Sequence, residues 1–188
     1  MKQWHILWLL ALLLLLGCAA PEAREHPDWD ENWFRFGDIL AAETPDGFEL
    51  NESNDVLSIA GLYYATWTAG KGEVITNAQG GDAVLYDAQI YVLLKECESA
   101  EAAAADIADW MHREAAAYET RESDVTAAGR AFTVLELTKA QGENPYHHGA
   151  AAFGVIGSNA VSVELLCREA WHGDPAATLT AFLNGLHD

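Results

Sequence analysis

Alternating apolar and polar positions run through most of the chain from position 33 onward. The clearest case is the set Ala88, Ile90, Val92 and Leu94, whose period of two, with apolar residues also on the opposite face, predicts a central β-strand. Glycine-containing joints at 127–130 and 157–159 resemble hairpin turns and predict antiparallel pairing. Further strands are predicted at 33–39, 48–52, 58–68, 73–77, 122–126, 131–138, 150–156 and 160–168.

Two segments follow the three-to-four residue spacing of an amphipathic helix. The first is predicted from an N-cap at Ser99 to about Glu119, and the second begins at Asp174-Pro175, an N-cap followed by proline. The positions predicted to be buried are Ala103, Ala104, Ile107, Met111, Ala115 and Tyr118 in the first helix and Leu179, Phe182, Leu183 and Leu186 in the second. The predicted class is therefore α+β, with a single antiparallel β-sheet of about six to nine strands packed by two main helices.

The order of these elements resembles the PsbP and Mog1 fold group over roughly 34–186. The resemblance rests on the long helix after the early strands, the hairpin Ala128-Gly129-Arg130 before an apolar strand, and the closing helix after Gly173-Asp174-Pro175. That group includes extrinsic photosynthetic subunits, a small-GTPase binder and many bacterial lipoproteins. The resemblance implies a binding or assembly module, and it assigns no residue a role because it is one of layout.

The first 17 residues have the pattern of an export signal. Lys2 supplies a positive start, an 11-residue apolar run covers 6–16, and Gly17 and Cys18 follow. A membrane-spanning helix needs about 20 apolar residues, so this run is too short to span. We therefore expect 1–17 to be a signal peptide.

The residues around the end of this signal, Leu15-Leu16-Gly17-Cys18, resemble the lipobox of bacterial lipoproteins. The resemblance implies lipid on the Cys18 sulfur, cleavage before Cys18 and acylation of the new amino terminus, which together anchor a protein stably. The alternative is an ordinary secretory signal with a chance cysteine. We expect 18–32 to be the lipidated cysteine with a flexible tether, and Ala19 rather than aspartate to favour the outer membrane if the organism is diderm.

Charge narrows the classes of partner. The chain of 188 residues has 29 acidic and 10 basic residues and a net charge of −19, while its hydrophobic content of 51% excludes a disordered chain. A single α+β domain is expected at 33–188. The acidic excess repels nucleic acid and anionic membrane surfaces. The expected partners are the membrane, through the lipid on Cys18, and an envelope protein or another cationic molecule.

Two further cysteines belong to the predicted domain. Cys97 and Cys167 each follow an apolar strand and precede a helix, so parallel strands would bring them to the same end of the sheet. Thiols of an exported protein can oxidise, and we expect a Cys97–Cys167 disulfide, with two separate thiols as the alternative. The chain has no Cys-x-x-Cys spacing and no regular His/Cys cluster, so no metal site and no cofactor is expected.

Two glutamates lie inside apolar strands. Glu136 and Glu164 must face solvent, find a partner or titrate at a shifted pKa. An outward-facing position is the simpler interpretation, and an envelope enzyme that uses one of them is the less favoured one. The pair His147-His148 is interpreted as part of a solvated loop.

Aromatic residues on the strand predicted at 58–68 suggest another function. Tyr64 and Trp67 are candidates for lining a pocket that carries a small apolar or glycan ligand, although ordinary sheet core is the favoured interpretation of these aromatic residues. The leading expectation is a non-enzymatic, membrane-anchored binding or assembly module, with the ligand-carrying lipoprotein as the alternative.

Overall fold

The computed structural model describes residues 32–53, 61–76, 81–142 and 144–188. The predictions made for the signal peptide, Cys18 and positions 19–31 lie outside the described residues. The described elements, in chain order, are β1 Trp33–Phe36, β2 Leu40–Glu43, β3 Glu49–Ser53, β4 Leu62–Ala69, β5 Glu73–Thr76, β6 Asp82–Leu85, β7 Ala88–Glu96, α1 Ala100–Ala117, β8 Glu119–Ala127, β9 Arg130–Thr138, β10 His148–Ile156, β11 Asn159–Cys167, α2 Pro175–Asn184 and β12 Leu186–His187.

The strands of the described residues form three sheets, so the prediction of a single sheet is wrong. A seven-stranded antiparallel sheet has the order β3-β4-β7-β11-β10-β9-β8, and separate sheets contain β1-β2-β12 and β5-β6. The extra sheets arise from strands too short for a periodicity signal. β2 is the four-residue segment Leu-Ala-Ala-Glu, and β12 contains two residues, one of which, Leu186, was assigned to the closing helix.

One face of the seven-stranded sheet, which we call the closed face, is covered by the small sheet β1-β2-β12 and by α2. Trp67 of β4 has no exposed surface and packs against the rings of Phe34, Phe36 and Phe182, whose centroids lie 6.1, 6.4 and 5.3 Å away. Apolar side chains from every layer join this core. Burial of aromatic and branched side chains on this scale is the main source of folding free energy.

The opposite face, which we call the helix face, is packed by α1. The helix lies over β11 and β10, where Ala103 and Trp110 are buried against Leu135, Ala151 and Phe153. On β7, by contrast, Gln89, Tyr91, Leu93 and Lys95 are only partly buried. The closed face therefore carries a continuous apolar core, whereas the helix face has a partly open half over β4 and β7.

Both helices begin as the sequence predicts. The Ser99 hydroxyl accepts a hydrogen bond from the Ala102 amide at 3.2 Å, and the Asp174 carboxylate accepts bonds from Ala176 and Ala177 at 3.0 and 3.1 Å. Such caps satisfy amides that have no partner within the helix. Neither helix in the described ranges is long and apolar enough to span a membrane.

Candidate functional site

The candidate site lies on the helix face, where β11 passes beneath the end of α1. Glu164 of β11 lies opposite Ala151 of β10 on one side and Tyr91 of β7 on the other. Its neighbours in phase along β11 are Ser162 and Leu166, and Leu166 belongs to the core under α1. Glu164 therefore points to the side of the sheet that carries the helix.

Two carboxyl groups approach one another at this site. Burial and the charge of Glu114 on α1 together raise the pKa of Glu164 to about 7, with the guanidinium of Arg113 acting in the opposite direction. Burial also raises the pKa of Glu114, with Arg113 again opposing. Desolvation and a like charge both disfavour the ionised form of a carboxyl group. We call Glu114 and Glu164 the glutamate pair.

A network of polar side chains borders the glutamate pair. The Tyr118 hydroxyl accepts a hydrogen bond from the Asn144 amide nitrogen at 2.8 Å and donates to the Tyr146 carbonyl at 3.2 Å, and the Tyr146 hydroxyl donates to Gln89 Oε1 at 3.2 Å. Burial raises the pKa of Tyr118 to about 12, and the charges of Glu114 and Glu164 act in the same direction. The two tyrosines are therefore neutral hydrogen-bonding groups at neutral pH.

Within this site, Glu164 is the group that can exchange a proton near neutral pH. A carboxyl group with a pKa of about 7 is protonated in part of the population, and its protonation depends on the state of the second carboxyl group. The chemistry available is acid–base transfer or recognition of a cation. Within the described ranges, no three His, Cys, Asp or Glu side chains are placed to hold a metal ion together.

Glu136, the other predicted glutamate, is not part of this site. It lies on β9 in phase with Phe132 and Val134 of the closed-face core, so it points to the opposite side of the sheet from Glu164. At 47% exposure its carboxylate forms an ion pair with Arg121 of β8 at 2.7 Å. The structure therefore does not bring the two predicted glutamates together, and Glu136 has the outward, ion-paired position that its sequence context favours.

The predicted disulfide between Cys97 and Cys167 is wrong. β7 and β11 are antiparallel neighbours, and Cys167 lies opposite Ala88, nine residues before Cys97. Nine residues of strand span about 30 Å, whereas a disulfide requires Cα atoms within about 7 Å. Both thiols are free, with Cys167 in the closed-face core and Cys97 half-buried beside α1.

Tyr64 and Trp67 do not line a common pocket. They are three residues apart on β4, so their side chains lie on opposite faces of the sheet. Trp67 is enclosed in the closed-face core and donates from Nε1 to the Thr44 hydroxyl at 3.1 Å. Tyr64 lies on the helix face, where its ring centroid is 6.2 Å from that of Tyr91. The ligand pocket predicted from these two aromatic residues is therefore not formed.

The sequence analysis missed Glu114 and Trp110 as sheet-facing residues. It assigned Ala104 and Ala115 to the buried stripe of α1, but both are exposed, and the stripe contains Ala103, Ile107, Trp110, Glu114 and Tyr118. The spacing of 4, 3, 4 and 4 residues was visible in the sequence. The signal was missed because alanine is so frequent in this helix that several stripes look equally apolar.

Asp106 links α1 to the neighbouring strand β7. It accepts a hydrogen bond from Lys95 Nζ at 2.8 Å and one from Cys97 Sγ at 3.4 Å. The neighbouring Asp109 is 71% exposed and pairs only loosely with Arg113, at 3.4 Å. One helical turn thus separates a carboxylate that joins α1 to β7 from one that remains on the surface.

Comparison with known proteins adds a likeness of fold layout. No family model and no curated protein sequence matches this chain. The structure is similar to the solution structure of cyanobacterial PsbP (CyanoP) from Synechocystis sp. PCC 6803, with a TM-score of 0.46 and 12% identity over 89% of this chain and 99% of that one. At this level of similarity we draw no functional argument from the likeness.

Proposed function

We propose that this chain is an extracytoplasmic lipoprotein, anchored to a bacterial membrane through lipid on Cys18, whose folded domain binds a cationic partner. In a diderm organism the membrane is the outer one. The domain acts as a non-enzymatic binding or assembly module of the cell envelope, and its acidic surface attracts the partner.

The main support for this proposal is that nearly all basic side chains of the domain are already paired with acidic side chains of the same domain. Of the eight basic residues in the described part of the chain, seven form ion pairs with acidic side chains of the domain. The chain has 29 acidic residues, so most of them have no basic residue available as a partner. A surface with such an excess of one sign attracts and orients molecules of the opposite sign.

The anchor is supported by the sequence alone. The lipobox-like Leu15-Leu16-Gly17-Cys18 follows an apolar run too short to span the bilayer, and an acidic domain has no electrostatic attraction to an anionic membrane. Covalent lipid is then the attachment that remains consistent with both features. Residues 19–32 would hold the domain at most about 46 Å from the bilayer surface.

Membrane fractionation tests the anchor. Cys18→Ser removes the only atom to which the thioether can form, so we expect the variant to leave the membrane fraction or to remain unprocessed. Cys97→Ser, which changes a cysteine of the domain, is the matched control and should stay membrane-bound. Lipid labelling and membrane binding of the Cys18→Ser protein would overturn this part of the proposal.

Binding of charged probe peptides tests the partner. The full chain in neutral detergent should bind a fluorescent nona-lysine peptide, with affinity falling steeply as salt rises from 20 to 200 mM, and should not bind nona-glutamate. Fluorescence anisotropy measures both. The absence of nona-lysine binding at 20 mM salt, or equal binding of the two peptides, would contradict a cationic partner.

A second candidate function rests on the glutamate pair. An envelope enzyme needs a group that can both donate and accept a proton near neutral pH, and Glu164, with a pKa of about 7, has that property. Carbon-13 NMR of the Glu164 carboxyl group is the direct test. Titration below pH 5 would remove the observation on which this candidate depends.

A further inference from the structure

The strand β8 forms one edge of the seven-stranded sheet. In the described part of the chain it pairs with β9 only, over nine consecutive residue pairs from Glu119–Thr138 to Ala127–Arg130. Residues 119–124 are all exposed. A long exposed edge presents a row of backbone donors and acceptors that another strand can use.

The turn between β8 and β9 determines which of these backbone groups point outward. Ala128 and Gly129 have φ values of 48° and 74°, as in the two-residue type I′ turn, and Ala127 and Arg130 flank the turn as a hydrogen-bonded pair. Hydrogen-bonded and non-hydrogen-bonded pairs alternate along an antiparallel ladder. The N–H and C=O groups that face away from β9 are therefore those of Thr120, Glu122, Asp124 and Thr126.

The side chains of these same residues lie on the helix face. Glu122 pairs with Leu135, which is buried under α1, and the Asp124 carboxylate accepts a hydrogen bond from the Thr133 hydroxyl at 3.3 Å. The free edge thus carries two acidic side chains two residues apart, a spacing of about 7 Å along the strand.

The charges on the other side of β8 are already paired within the domain. Glu119 binds Lys139 at 2.6 Å, and Arg121 binds Glu136 at 2.7 Å. Glu122 and Asp124 take part in none of the ion pairs of the described residues. Their negative charge is therefore available to a partner that lies along the edge.

A cleft adjoins the second half of this edge. The cleft has a volume of about 520 Å³ and is lined by Ile107 of α1 and by Asp124, Thr126, Phe153 and Val155. The cleft therefore offers an apolar surface two residues beyond the acidic pair, next to Thr126.

We propose that β8 docks an extended segment of the cationic partner, which adds to the sheet as an eighth strand. Lysine or arginine side chains at alternate positions of that segment lie opposite Glu122 and Asp124, and an apolar side chain near Thr126 enters the cleft beside Ile107. In strand addition, backbone hydrogen bonds supply affinity and alternate side chains supply specificity. This inference rests on the proposed function and names the surface that performs it.

Charge also selects the occupant of the edge. A second copy of the chain, added through its own β8, would place Glu122 and Asp124 near acidic side chains of the same kind, which is destabilising. Acidic side chains on an edge strand in this way prevent pairing between copies. The same side chains favour a basic strand, so we assign the edge to a basic segment.

Two peptides of identical composition test the order of residues in that segment. In the first, nine residues long, lysine alternates with threonine, and one leucine takes the place of a lysine near the end so that it lies on the same face as the remaining lysines. In the second, the lysines are grouped at one end. We expect the full chain in neutral detergent to bind the alternating peptide at least about tenfold more tightly, with hydrogen-exchange protection of the amides of 120, 122, 124 and 126.

Variants at Glu122 separate the charge from the backbone hydrogen bond. Glu122→Gln removes the charge, and Glu122→Pro also removes an N–H that points away from β9, which an edge strand tolerates. We expect the alternating peptide to bind about threefold more weakly to E122Q and about tenfold more weakly again to E122P, with unchanged circular dichroism. Should E122P not fold, the amide protection in the unmodified chain still decides the question.

The outcomes distinguish this inference from the proposed function. If both peptides bind with equal affinity and the four amides remain unprotected, β8 is not the docking edge, although the domain still binds cations. If neither peptide binds at 20 mM salt, both the docking edge and the cationic partner are overturned. Protection of the four amides by the alternating peptide alone supports both.

Discussion

The two faces of the seven-stranded sheet are built from the same strands but have opposite characters. On the closed face, Val161, Val163 and Leu165 of β11 have no exposed surface and lie in a continuous apolar core. On the helix face, the intervening positions of β11 include Ser162 and Glu164. Alternate residues of one strand thus have different surroundings. The closed face contributes most of the apolar burial that stabilises the fold, and the helix face holds the polar groups that can react or bind.

Coverage explains this difference. The closed face is covered by α2 and the sheet β1-β2-β12, which together extend over β4 to β9. Of the two described helices, α1 packs on the helix face, over β10 and β11, and the part of this face over β4 and β7 keeps polar and aromatic side chains. A single helix about 10 Å wide cannot cover seven strands. Gln89, Tyr91 and Lys95 of β7 can therefore stay on the helix face without the cost of complete burial, whereas Ser162, which lies on β11 under α1, is 1% exposed.

Alkylation rates of the two thiols should show the largest difference between the faces. Cys167 lies fully buried in the closed-face core, where burial raises its thiol pKa to about 12, and Cys97 is half-buried on the helix face. Since reaction at Cys167 requires the core to open, we expect iodoacetamide to modify Cys97 at least about 1000-fold faster at pH 8. Peptide mass spectrometry measures both rates, and equal rates in the folded protein would contradict the comparison.

Alanine substitution at two neighbouring aromatic positions of β4 gives the next largest effect. Trp67→Ala removes a completely buried ring from the closed face and should lower the free energy of unfolding by about 4 kcal/mol. Tyr64→Ala, on the helix face, should lower it by about 1 kcal/mol. Urea denaturation compares the two, and similar losses would mean that the faces do not differ in packing.

The pH dependence of stability tests the glutamate pair. The pKa of Glu164 rises from an ordinary value of 4.5 in the unfolded chain to about 7 in the fold, so its contribution to stability is complete below pH 4.5 and is lost as the pH rises through 7. Glu164→Gln should therefore be more stable than the unmodified protein at pH 8, by about 1 to 3 kcal/mol, and equally stable at pH 4. Glu136→Gln, on the other face, is the matched control.

Urea denaturation at the two pH values provides the measurement. For the control, we expect a change below about 1 kcal/mol at both values, because the Arg121–Glu136 pair is exposed to solvent. A Glu164→Gln protein that is less stable at pH 8 would show that the carboxylate is stabilised, not destabilised, by its surroundings.

The smallest effect is expected on α1 itself. Asp106→Ala removes hydrogen bonds to Lys95 and Cys97 that link the helix to β7 and should cost about 1 kcal/mol. Asp109→Ala removes an exposed pair with Arg113 and should cost less than about 0.5 kcal/mol. Thermal unfolding of both variants decides the order, and a larger loss for Asp109→Ala would mean that the faces of α1 are reversed.

The sequence predicted the long elements well because each has its own local signal. The period-two pattern marked β7, the glycine turns marked the hairpins β8-β9 and β10-β11, and Ser99 and Asp174 marked both helix starts. The small sheet was missed because β2 and β12 pair across the chain and are too short to show periodicity. Pairing of that kind is determined by tertiary contacts.

The candidate site was only half predictable. Glu164 was recognisable as a carboxylate among apolar neighbours, but its partner Glu114 is 50 positions away on a helix and was hidden among alanines. The residues around Glu136 and Glu164 do not indicate which of the two faces a helix, because both faces of the sheet have apolar neighbours and differ in the elements that cover them. The disulfide prediction was wrong for a related reason. The distance between Cys97 and Cys167 depends on the antiparallel direction of their two strands, which their separation of 70 positions in the chain does not reveal.

The pairing of β12 with β2 also bears on the timing of folding. Leu186 pairs with Ala42, so two strands of one sheet are separated by about 140 positions in the chain. During synthesis, a chain that has not yet reached α2 and β12 lacks part of the layer that covers Trp67. Distant contacts of this kind slow the final step of folding. The growing polypeptide is therefore unable to complete its core early, and this delay favours capture by chaperones before the domain closes.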